Sequence, residues 1–445
     1  MKVMKFGGTS VGTAQCIKNL VTIIPDNELV VVVLSAMSGT TNSLVEISEL
    51  LRDGKPQNAM HLLKELEIKY YQTVNELFSS NIFIKRGSEF INDLFSGVIK
   101  KFTEVLSPND INEVIALGEL LSSGLFHLYL NEQGKRSAYI PALNFMRIDK
   151  DREPDYYYIT ENFKRYLNSY PKTSLFITQG FICRNALGET DNLGRGGSDY
   201  TAAIIGNAMD ANQVEIWTDI DGIHNNDPRY VDNTIPLRHL SFDEAAELAY
   251  FGAKILHPST INPCSQKSIP VILKNTLKPE DKGTIISSNL SFGGIKAIAA
   301  KDGITAIKVR SSRMLMAYGF LARVFEIFNE FRTPVDLITT SEVSVSLTID
   351  NDSNLNRIVE KLTAFSSVEV EKDQTIICVV GDFAASRPGL ASKIFEALEM
   401  IPIKMISYGG STHNVSILVD FKNKVNALRA LHQLVCTNKE ANILS

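Results

Sequence analysis

The sequence predicts an α/β protein in which an open, mainly parallel sheet flanked by helices is followed by two ferredoxin-like βαββαβ units. The first observation is the continuous β-branched run Val30–Leu34, which is typical of a strand buried on both faces of a parallel sheet. The second is the alternation of strand, polar loop and helix along the first two thirds of the chain. The third is an internal repeat in the last third.

Strand, loop and helix patterns follow one another in the same order at several points. Val30–Leu34 leads into the small polar residues Ser35–Asn42 and then into the helical pattern Leu44–Leu51. Ser174–Thr178 and Val214–Thr218 likewise precede glycine-rich or polar loops. In a sheet of this kind ligands bind at the carboxyl ends of the strands, so these loops form the predicted site.

The last third contains two similar segments. Gly319–Phe325 resembles Gly389–Phe395, and their glycines are 70 positions apart (389 − 319). Ser341 and Ser411 have the same spacing, and each opens an alternating strand pattern. Each copy has the order strand, helix, strand, strand, helix, which is close to the ferredoxin-like unit. Two such units could also serve only to extend or dimerise the chain.

A chain of 445 residues is too long for one ordinary core, so two or three domains are expected. We expect a first domain over 1–288, a linker and the start of a regulatory region over 289–303, and repeat units over 304–374 and 375–445. Residues from about 50 to 115 are predicted to form a mainly helical, peripheral insert in the first domain.

Composition excludes several classes of protein. The net charge of −5 argues against nucleic-acid binding, which normally needs a basic excess. No stretch resembles a signal peptide or a membrane span of ~20 apolar residues, and no H-x-x-x-H pair indicates zinc. The scattered cysteines indicate reduced thiols, so a cytoplasmic protein is expected: Cys16, Cys183, Cys264, Cys378 and Cys436.

The first candidate site is Lys5–Ser10 (KFGGTS), directly behind the apolar Val3 and Met4. Gly7 and Gly8 let the backbone approach a ligand closely, and the lysine supplies a positive charge. These groups suit an anion, and we predict a phosphate. The lysine precedes the glycines, so the motif is not a P-loop.

A second glycine loop spans Leu193–Tyr200 (LGRGGSDY). Arg195 offers a planar fork for a carboxylate or phosphate, while Ser198 and Asp199 are good N-cap residues for the helix that follows. A plain turn is an equally good explanation of this loop alone. Together with the first loop it becomes the predicted second wall of a phosphate site.

Two further segments and one carboxylate are weaker candidates. The acid-rich segment Thr218–Arg229 could contact a nucleotide or its magnesium, although Asx turns are the structural alternative. Ser241–Glu244 is a capping box that opens a helix ending at Gly252, and Lys254 after it is either a solvated lysine or a nucleotide contact. On composition alone Glu119 is more typical of a surface carboxylate than of a ligand.

Together these segments resemble aspartate kinases of the amino-acid kinase family, over essentially the whole chain. Five motifs occur in the family's order and spacing, and the repeat resembles its tandem ACT regulatory domains. The segment Val335–Val345 resembles the lysine-sensitive, single-function branch in particular. The motifs are Lys5–Val11, Leu193–Asp199, Trp217–Asp219, Asp227–Arg229 and Phe251–Lys254.

The resemblance implies transfer of a phosphoryl group from ATP to L-aspartate, with Mg²⁺ bridging the phosphates and no metal held by protein residues alone. The implied catalytic residues are Lys5, Gly7, Gly8 and Asp199. The implied aspartate contacts are Ser35, Thr41, Glu119, Arg195 and Ser198. The implied ATP contacts are Lys5, Gly7, Gly8, Thr218, Asp219, His224, Asp227, Arg229 and Lys254. The family commonly has tyrosine at the position of His224, so the detail of that contact differs here.

The repeat supports an effector argument of its own. Aligned at the 70-residue offset, Asp336 falls on Ile406 and Glu342 on Thr412, so only the first copy carries the two acids. A cationic amino acid needs paired negative charge, which makes lysine the natural effector. The resemblance implies lysine contacts, and a homodimer or tetramer assembled through the ACT units, with these effector residues: Met314, Ala317, Phe320, Leu321, Asp336, Ser341 and Glu342.

Other interpretations stay open at this stage. The chain could be another amino-acid kinase, acting on glutamate or a nucleoside monophosphate, or a non-catalytic amino-acid sensor. A structural reading of the repeat places Phe320 and Leu321 in a helix core and both acids on the surface. No nucleic-acid or membrane partner is expected.

Overall fold

A computed structural model describes residues 1–103, 106–252, 256, 258–288, 294–311, 318–383 and 389–437. The chain divides into two compact units. The first unit contains residues 1–223, 238–242 and 256–289, and the second contains residues 224–237, 243–255 and 290–445.

In the first unit the described strands form one eight-stranded sheet and a two-stranded hairpin. The sheet order is β3-β4-β2-β1-β7-β9-β10-β8, and the hairpin is β5-β6. The sheet is parallel except where β10 pairs with β9, so the predicted mainly parallel sheet is confirmed. The strands are β1 (Lys2–Phe6), β2 (Val30–Leu34), β3 (Ala138–Tyr139), β4 (Leu175–Gln179), β5 (Ile182–Arg184), β6 (Thr190–Asn192), β7 (Gln213–Thr218), β8 (His239–Ser241), β9 (Val271–Asn275) and β10 (Thr284–Ser287).

Helices cover this sheet. Every residue of β2 is buried, as its apolar run predicts. The predicted helical segment around 50–115 is confirmed, but Tyr70 and Phe95 on it are fully buried, so it belongs to the main core and is not peripheral. The helices of residues 1–288 are α1 (Ala14–Ile23), α2 (Thr40–Arg52), α3 (Pro56–Leu77), α4 (Asn81–Lys100), α5 (Pro108–Glu132), α6 (Tyr156–Ser169), α7 (Gly197–Ala208), α8 (Phe242–Tyr250) and α9 (Pro258–Gln266).

Among the described residues, one helix has the length and composition of a membrane span, which the sequence analysis did not expect. This helix is α5, and 72% of its most apolar stretch is buried inside the protein. A capping box formed by Ser107 and Asp110 begins it, and Pro108 follows the cap. Burial of this extent is typical of the core helix of a globular domain.

The second unit contains a six-stranded sheet in the order β12-β13-β11-β14-β16-β15, antiparallel throughout its described pairs. The two long strands β11 and β14 pair along most of their length. The strands are β11 (Gly294–Arg310), β12 (Ile338–Thr340), β13 (Ser344–Ile349), β14 (Ser367–Asp382), β15 (Met405–Tyr408) and β16 (Asn414–Asp420). The helices are α10 (Phe320–Glu330), α11 (Leu355–Thr363), α12 (Leu390–Ala397) and α13 (Lys424–Thr437).

The predicted repeat is present in this sheet. Helices α10 and α12 begin after Gly319 and Gly389, whose φ angles of 83° and 92° are left-handed and favour glycine. Strand β11 serves both copies, since its first half pairs with the second half of β14 and its second half with β13. The expected linker is therefore strand from Gly294 onward, while residues 289–293 lie outside the described residues. The four-part domain division stays a prediction.

Candidate active site

A cavity of about 580 Å³ lies in the first unit, where the loops after β1, β2 and β6 meet α5 and α7. Backbone hydrogen bonds hold neighbouring strand ends together. The Gly7 N–H donates to the Trp217 carbonyl (3.0 Å), the Ser38 N–H to Gly8 (3.1 Å), and the Gly180 N–H to Leu34 (2.9 Å). The structure brings these predicted residues to the cavity wall: Lys5, Gly8, Ser35, Thr41, Glu119, Arg195, Ser198 and Asp199.

A buried ion pair lies at the wall of this cavity. Lys5, at the end of β1, has its Nζ 2.5 Å from Asp199 Oδ1 in the first turn of α7. The two side chains are only 11% and 12% exposed. The contact is an ion pair without the alignment of a hydrogen bond. The pair fixes the lysine ammonium at one place on the cavity wall.

Glycines bring backbone close to the cavity on two sides. A Cβ added to Gly8 would lie 2.9 Å from the Ala36 carbonyl oxygen, so the first loop packs tightly against the loop after β2. Gly39 and Gly196 precede α2 and α7 with φ angles of 82° and 72°. Both helix N-termini reach the cavity, and the positive end of each helix dipole favours anions there.

Glu119 lies on α5 and is 3% exposed, so the surface interpretation from composition is wrong. Its Oε1 accepts a hydrogen bond from the Ala36 N–H at 3.3 Å. Its Oε2 is buried without a hydrogen-bond partner among the described residues. Burial raises the pKa of Glu119 to about 8, although the Ala36 N–H and nearby Lys5 oppose the shift. The carboxyl is therefore poised to gain a cationic partner.

Arg195 supplies the opposite charge. It follows Gly194 in the second glycine loop, lines the cavity and is exposed. Within the part of the chain that the structure describes, its guanidinium has no ion-pair partner. An exposed guanidinium without a partner on a concave surface is suited to a carboxylate of a small ligand.

Sequence reasoning missed a network that supports the Arg195 loop. Asn192 lines the cavity, and its Oδ1 accepts a hydrogen bond from the Gly194 N–H at 3.0 Å. Its Nδ2 donates to Asn112 Oδ1 on α5 at 2.8 Å. The Arg152 guanidinium donates to the Asn192 carbonyl at 2.8 Å. These contacts join residues 40 and 80 positions apart, so no local pattern signals them.

A lysine outside every predicted motif also supports the site. Lys69 on α3 donates to the carbonyl of Ser38, a cavity residue, at 2.9 Å. Burial lowers the pKa of Lys69. Its position on a helix of mixed charge gave no sequence signal.

Two of the predicted ATP residues, Thr218 and Asp219, are linked by hydrogen bonds to the loop that follows β1. Thr218 ends β7, and its carbonyl accepts hydrogen bonds from the Thr276 N–H (2.8 Å) and hydroxyl (3.0 Å). The Thr276 hydroxyl is 2.6 Å from the Ser10 hydroxyl. The Thr218 hydroxyl donates to Asp219 at 3.1 Å. Thr218 and Asp219 thus lie beside β1, at the same sheet edge as Lys5.

The other predicted ATP residues belong to the second unit. His224 Nδ1 lies 2.9 Å from the Thr234 hydroxyl. Arg229 pairs with Asp227 through Nε at 2.9 Å and a second nitrogen at 2.6 Å, and it helps hold the pKa of Asp227 below its usual range against the effect of burial. Asp227 also accepts the Arg229 N–H, so the Asx-turn alternative applies to it. Lys254 lies outside the described residues.

The segment that carries these residues is built into the second unit. Asn226 donates to the Leu428 carbonyl at 3.0 Å, and the Lys424 ammonium lies 3.9 Å from the Tyr230 ring centroid. Val231 is part of the core formed by β11, β14, β16 and α13. A predicted nucleotide loop is thus a structural part of the unit that contains the repeat.

The predicted effector residues are distributed over the first repeat. Phe320 begins α10 and packs edge-on against Phe365, while Leu321 is 39% exposed. The Asp336 side chain is 2% exposed, and Glu342 is exposed. The alternative interpretation places Phe320 and Leu321 in a helix core and both acids on the surface. It is correct for Phe320 and Glu342 but wrong for Leu321, which is exposed, and for Asp336, whose side chain is buried. Met314 and Ala317 lie outside the described residues.

The two acids of the effector set, Asp336 and Glu342, are attached to one hairpin at backbone positions several residues apart. The Asp336 N–H donates to the Thr348 carbonyl on β13. The N–H of Ser341, the neighbour of Glu342, donates to the Ser344 carbonyl on the same strand. Four residues of extended strand separate those two partners, which corresponds to about 13 Å. The exposed Glu342 and the buried side chain of Asp336 thus lie at opposite ends of the hairpin.

Comparisons with known proteins identify the family. The model of the amino acid kinase family matches residues 1–275, and an ACT domain model matches residues 377–434. The lysine-sensitive aspartokinase 3 of Escherichia coli is 34% identical over 97% of this chain and 98% of its own length. The chain belongs to the aspartokinase family.

Solved structures agree with this family assignment. The crystal structure of E. coli aspartokinase III in complex with aspartate and ADP, in the R-state, superimposes with a TM-score of 0.83 at 32% identity, covering 98% of this chain and 99% of that one. Its complex with lysine and aspartate, in the T-state, gives 0.80 at 33% identity, covering 97% and 99%. The predicted amino-acid-kinase fold with an ACT-type regulatory region is thereby confirmed.

Proposed function

We propose that this aspartokinase-family chain transfers the γ-phosphoryl group of ATP to the side-chain carboxylate of L-aspartate, giving ADP and 4-phospho-L-aspartate. One observation carries the proposal. A single cavity presents a fixed ammonium at Lys5, a buried carboxyl at Glu119 and an exposed guanidinium at Arg195, which has no ion-pair partner among the described residues. These groups complement a phosphoryl group, an α-ammonium and an α-carboxylate respectively.

The reaction needs no general base. The attacking carboxylate of aspartate has a pKa of roughly 4 and is already ionised at neutral pH. Catalysis therefore consists of in-line alignment and neutralisation of charge on the transferred group. Lys5 neutralises the phosphoryl oxygens, and the Gly8 amide cradles them, while Gly7, whose N–H is held by the Trp217 carbonyl, keeps the loop beside β7. Asp199 keeps the ammonium in place.

Aspartate is held by its amino-acid end, which leaves its side chain directed at Lys5. Glu119 binds the ammonium and Arg195 binds the α-carboxylate, while Ser35, Thr41 and Ser198 add hydroxyl contacts. The buried Oε2 of Glu119, which lacks a hydrogen-bond partner among the described residues, supports this role. An ammonium donor would satisfy it and lower its pKa.

ATP is assigned to Thr218, Asp219, His224, Asp227, Arg229 and Lys254. Among the described residues no group of three His, Cys, Asp or Glu side chains could hold a metal ion. We therefore assign Mg²⁺ to the phosphates of the nucleotide, with carboxylates as auxiliary ligands, as is usual for this ion. When bound, it neutralises phosphate charge.

We further propose that the reaction is the first step of lysine, threonine and methionine biosynthesis in the cytoplasm, and that L-lysine inhibits it through the first ACT unit. The position of Asp336 and Glu342 at opposite ends of one hairpin supports assembly of the effector site from two chains, hence a homodimer or tetramer. The E. coli relative is named lysine-sensitive, which agrees with this choice of effector.

A phosphorylation assay tests the proposal. The purified chain is supplied with Mg-ATP and with L-aspartate, L-glutamate or UMP, with and without millimolar L-lysine, and acyl phosphate and ADP are measured. We expect turnover with aspartate alone and its inhibition by lysine. Turnover with glutamate or UMP would identify a different amino-acid kinase, and lysine binding without turnover would identify a sensor. Inhibition by threonine and not by lysine would contradict the assignment of lysine as the effector.

A further inference from the structure

The carboxylate assigned to the effector is already occupied by groups of the same chain. Asp336 Oδ1 accepts a hydrogen bond from the Tyr250 hydroxyl at 2.6 Å and one from Lys301 Nζ at 2.9 Å. All three residues belong to the second unit. Asp336 therefore does not present an open carboxylate to a ligand in this structure.

The surroundings of Lys301 are those of an alkylammonium-binding site. Its Nζ is also 2.8 Å from Asp350 Oδ2, and it lies 4.4 Å from the centroid of the Tyr250 ring. Two carboxylates and an aromatic face are the groups that recognise such a cation. Burial lowers the pKa of Lys301, but the hydrogen bonds that its ammonium donates to Asp350 and Asp336, together with their negative charge, raise it more.

The arrangement leaves one acceptor unsatisfied. Asp336 Oδ2 is buried and has no hydrogen-bond partner among the described residues. An unpaired oxygen of a buried carboxylate carries a desolvation cost. A ligand that brought additional N–H donors to Asp336 would remove that cost, which Lys301 does not do.

We propose that Lys301 is an internal competitor for the cationic amino-acid effector at Asp336, and that effector binding displaces its ammonium and releases the Tyr250 hydroxyl. The inference rests on the proposed effector role of Asp336 and adds to it the groups that must leave. Lys301 keeps Asp350 as a partner after displacement, so the displaced cation is not stranded. A ligand lacking a side-chain ammonium would not make this exchange.

Release of the Tyr250 hydroxyl would affect the turn that follows α8. Tyr250 is the last residue of α8, and Gly252 follows with a φ of 124°. A Cβ on Gly252 would lie 2.2 Å from the carbonyl oxygen of Ala300, the neighbour of Lys301, so this turn packs tightly on β11. Lys254, the proposed ATP contact, is two residues further along. The same exchange that frees Asp336 thus loosens the anchor of the turn at Gly252.

Calorimetric titration of the full-length chain with L-lysine tests the competition. Lys301→Met keeps the length and removes the charge, and Lys301→Arg is the matched control that keeps it. We expect Lys301→Met to bind lysine about tenfold more tightly or better, since the site no longer has to be vacated, and Lys301→Arg to stay near the wild type. L-norleucine, which lacks the side-chain ammonium, should not bind. Unchanged or weaker lysine binding by folded Lys301→Met would overturn the inference.

Tyr250→Phe provides a second test if Lys301→Met does not fold. It removes one hydrogen bond to Asp336 and keeps the ring. In the wild type the exchange should raise the KM for ATP when lysine binds. In Tyr250→Phe we expect lysine to bind several-fold more tightly and this rise to be lost. Weaker or unchanged lysine binding, or an undiminished effect on ATP, would reject the coupling. If the wild type binds no lysine at all, the effector assignment itself fails, whereas a failure confined to the variants rejects this inference alone.

Discussion

The ammonium of Lys5 lies 2.5 Å from the carboxylate of Asp199, with both side chains nearly buried. The two residues come from the end of β1 and the first turn of α7, 194 positions apart (199 − 5). A lysine side chain is flexible, and placing its charge at a transferring phosphoryl group requires a fixed partner. We therefore propose Asp199 as a positioning residue for Lys5.

Lys5→Ala should lower kcat by at least about a hundredfold, equivalent to about 2.7 kcal/mol of transition-state stabilisation. The reason is that the substitution removes the ammonium that lies beside Asp199 on the cavity wall. Steady-state ADP release with saturating aspartate and ATP measures the effect. Turnover near the wild type would remove Lys5 from the reaction.

The buried pair demands a control for folding. Lys5→Ala leaves Asp199 buried without its cation, which costs stability. Adding Asp199→Asn removes the stranded charge, so the double variant should regain thermal stability but not kcat. Recovery of both would mean that Lys5 acts only through the fold.

If Glu119 binds the aspartate ammonium as proposed, aspartate binding should depend on pH. Because its pKa is about 8, the Glu119 carboxyl of the free enzyme is mostly protonated at pH 7. Binding of an ammonium requires the carboxylate, so the KM for aspartate should fall as pH rises, by roughly tenfold or more between pH 6.5 and 8.5. The measurement is a pH profile of this KM at saturating ATP.

Glu119→Gln is the matched control for that profile. It should have a higher KM that no longer changes over this pH range. A wild-type profile that is flat would contradict the assignment.

The Glu119 carboxyl should also affect stability, because the folded state keeps a proton that the unfolded state has released. The free energy of unfolding of the wild type should therefore decrease from about pH 4.5 to about pH 8 relative to Glu119→Gln.

Local patterns predicted the loops of the site well. A lysine at a strand end, glycines behind it and an N-cap pair before a helix are short-range signals, so Lys5 and Asp199 were each found from sequence. The repeat was also found, because its glycines must adopt the same left-handed conformation at Gly319 and Gly389.

Partners distant in sequence could not be predicted. Glu119 looked like a surface residue because only the packing of α5 buries it. Asp336 contacts Lys301 and Tyr250, which are 35 and 86 positions away, and no periodicity encodes such pairs. Sequence order likewise assigned residues 224–237 and 243–255 to the first domain, whereas their contacts place them in the second unit.

Gly8→Ala should impair catalysis far more than Gly7→Ala. A Cβ at Gly8 meets the Ala36 carbonyl oxygen at 2.9 Å, whereas at Gly7 the nearest atoms are 3.5 Å away. Gly8→Ala must shift the loop that also donates the Ala36 N–H to Glu119, so kcat should fall by about tenfold or more and the KM for aspartate should rise. Equal kinetics in the two variants, with matched melting temperatures, would show that this close approach is not needed.

Arg195→Ala should raise the KM for aspartate by about tenfold or more while changing the KM for ATP little, because the lost charge-assisted hydrogen bonds belong to the α-carboxylate alone. Arg195→Lys keeps the charge but not the planar fork, so it should recover only part of the affinity. Asn192→Ala separates direct from indirect effects, since it leaves the guanidinium in place but removes the acceptor for the Gly194 N–H. Its KM for aspartate should lie between those of the wild type and Arg195→Ala. Initial rates at varied aspartate and fixed ATP give the aspartate KM of each variant and so test this order. An aspartate KM unaffected by Arg195→Ala would exclude Arg195 from the substrate site, and a rise in the ATP KM alone would move it to the nucleotide.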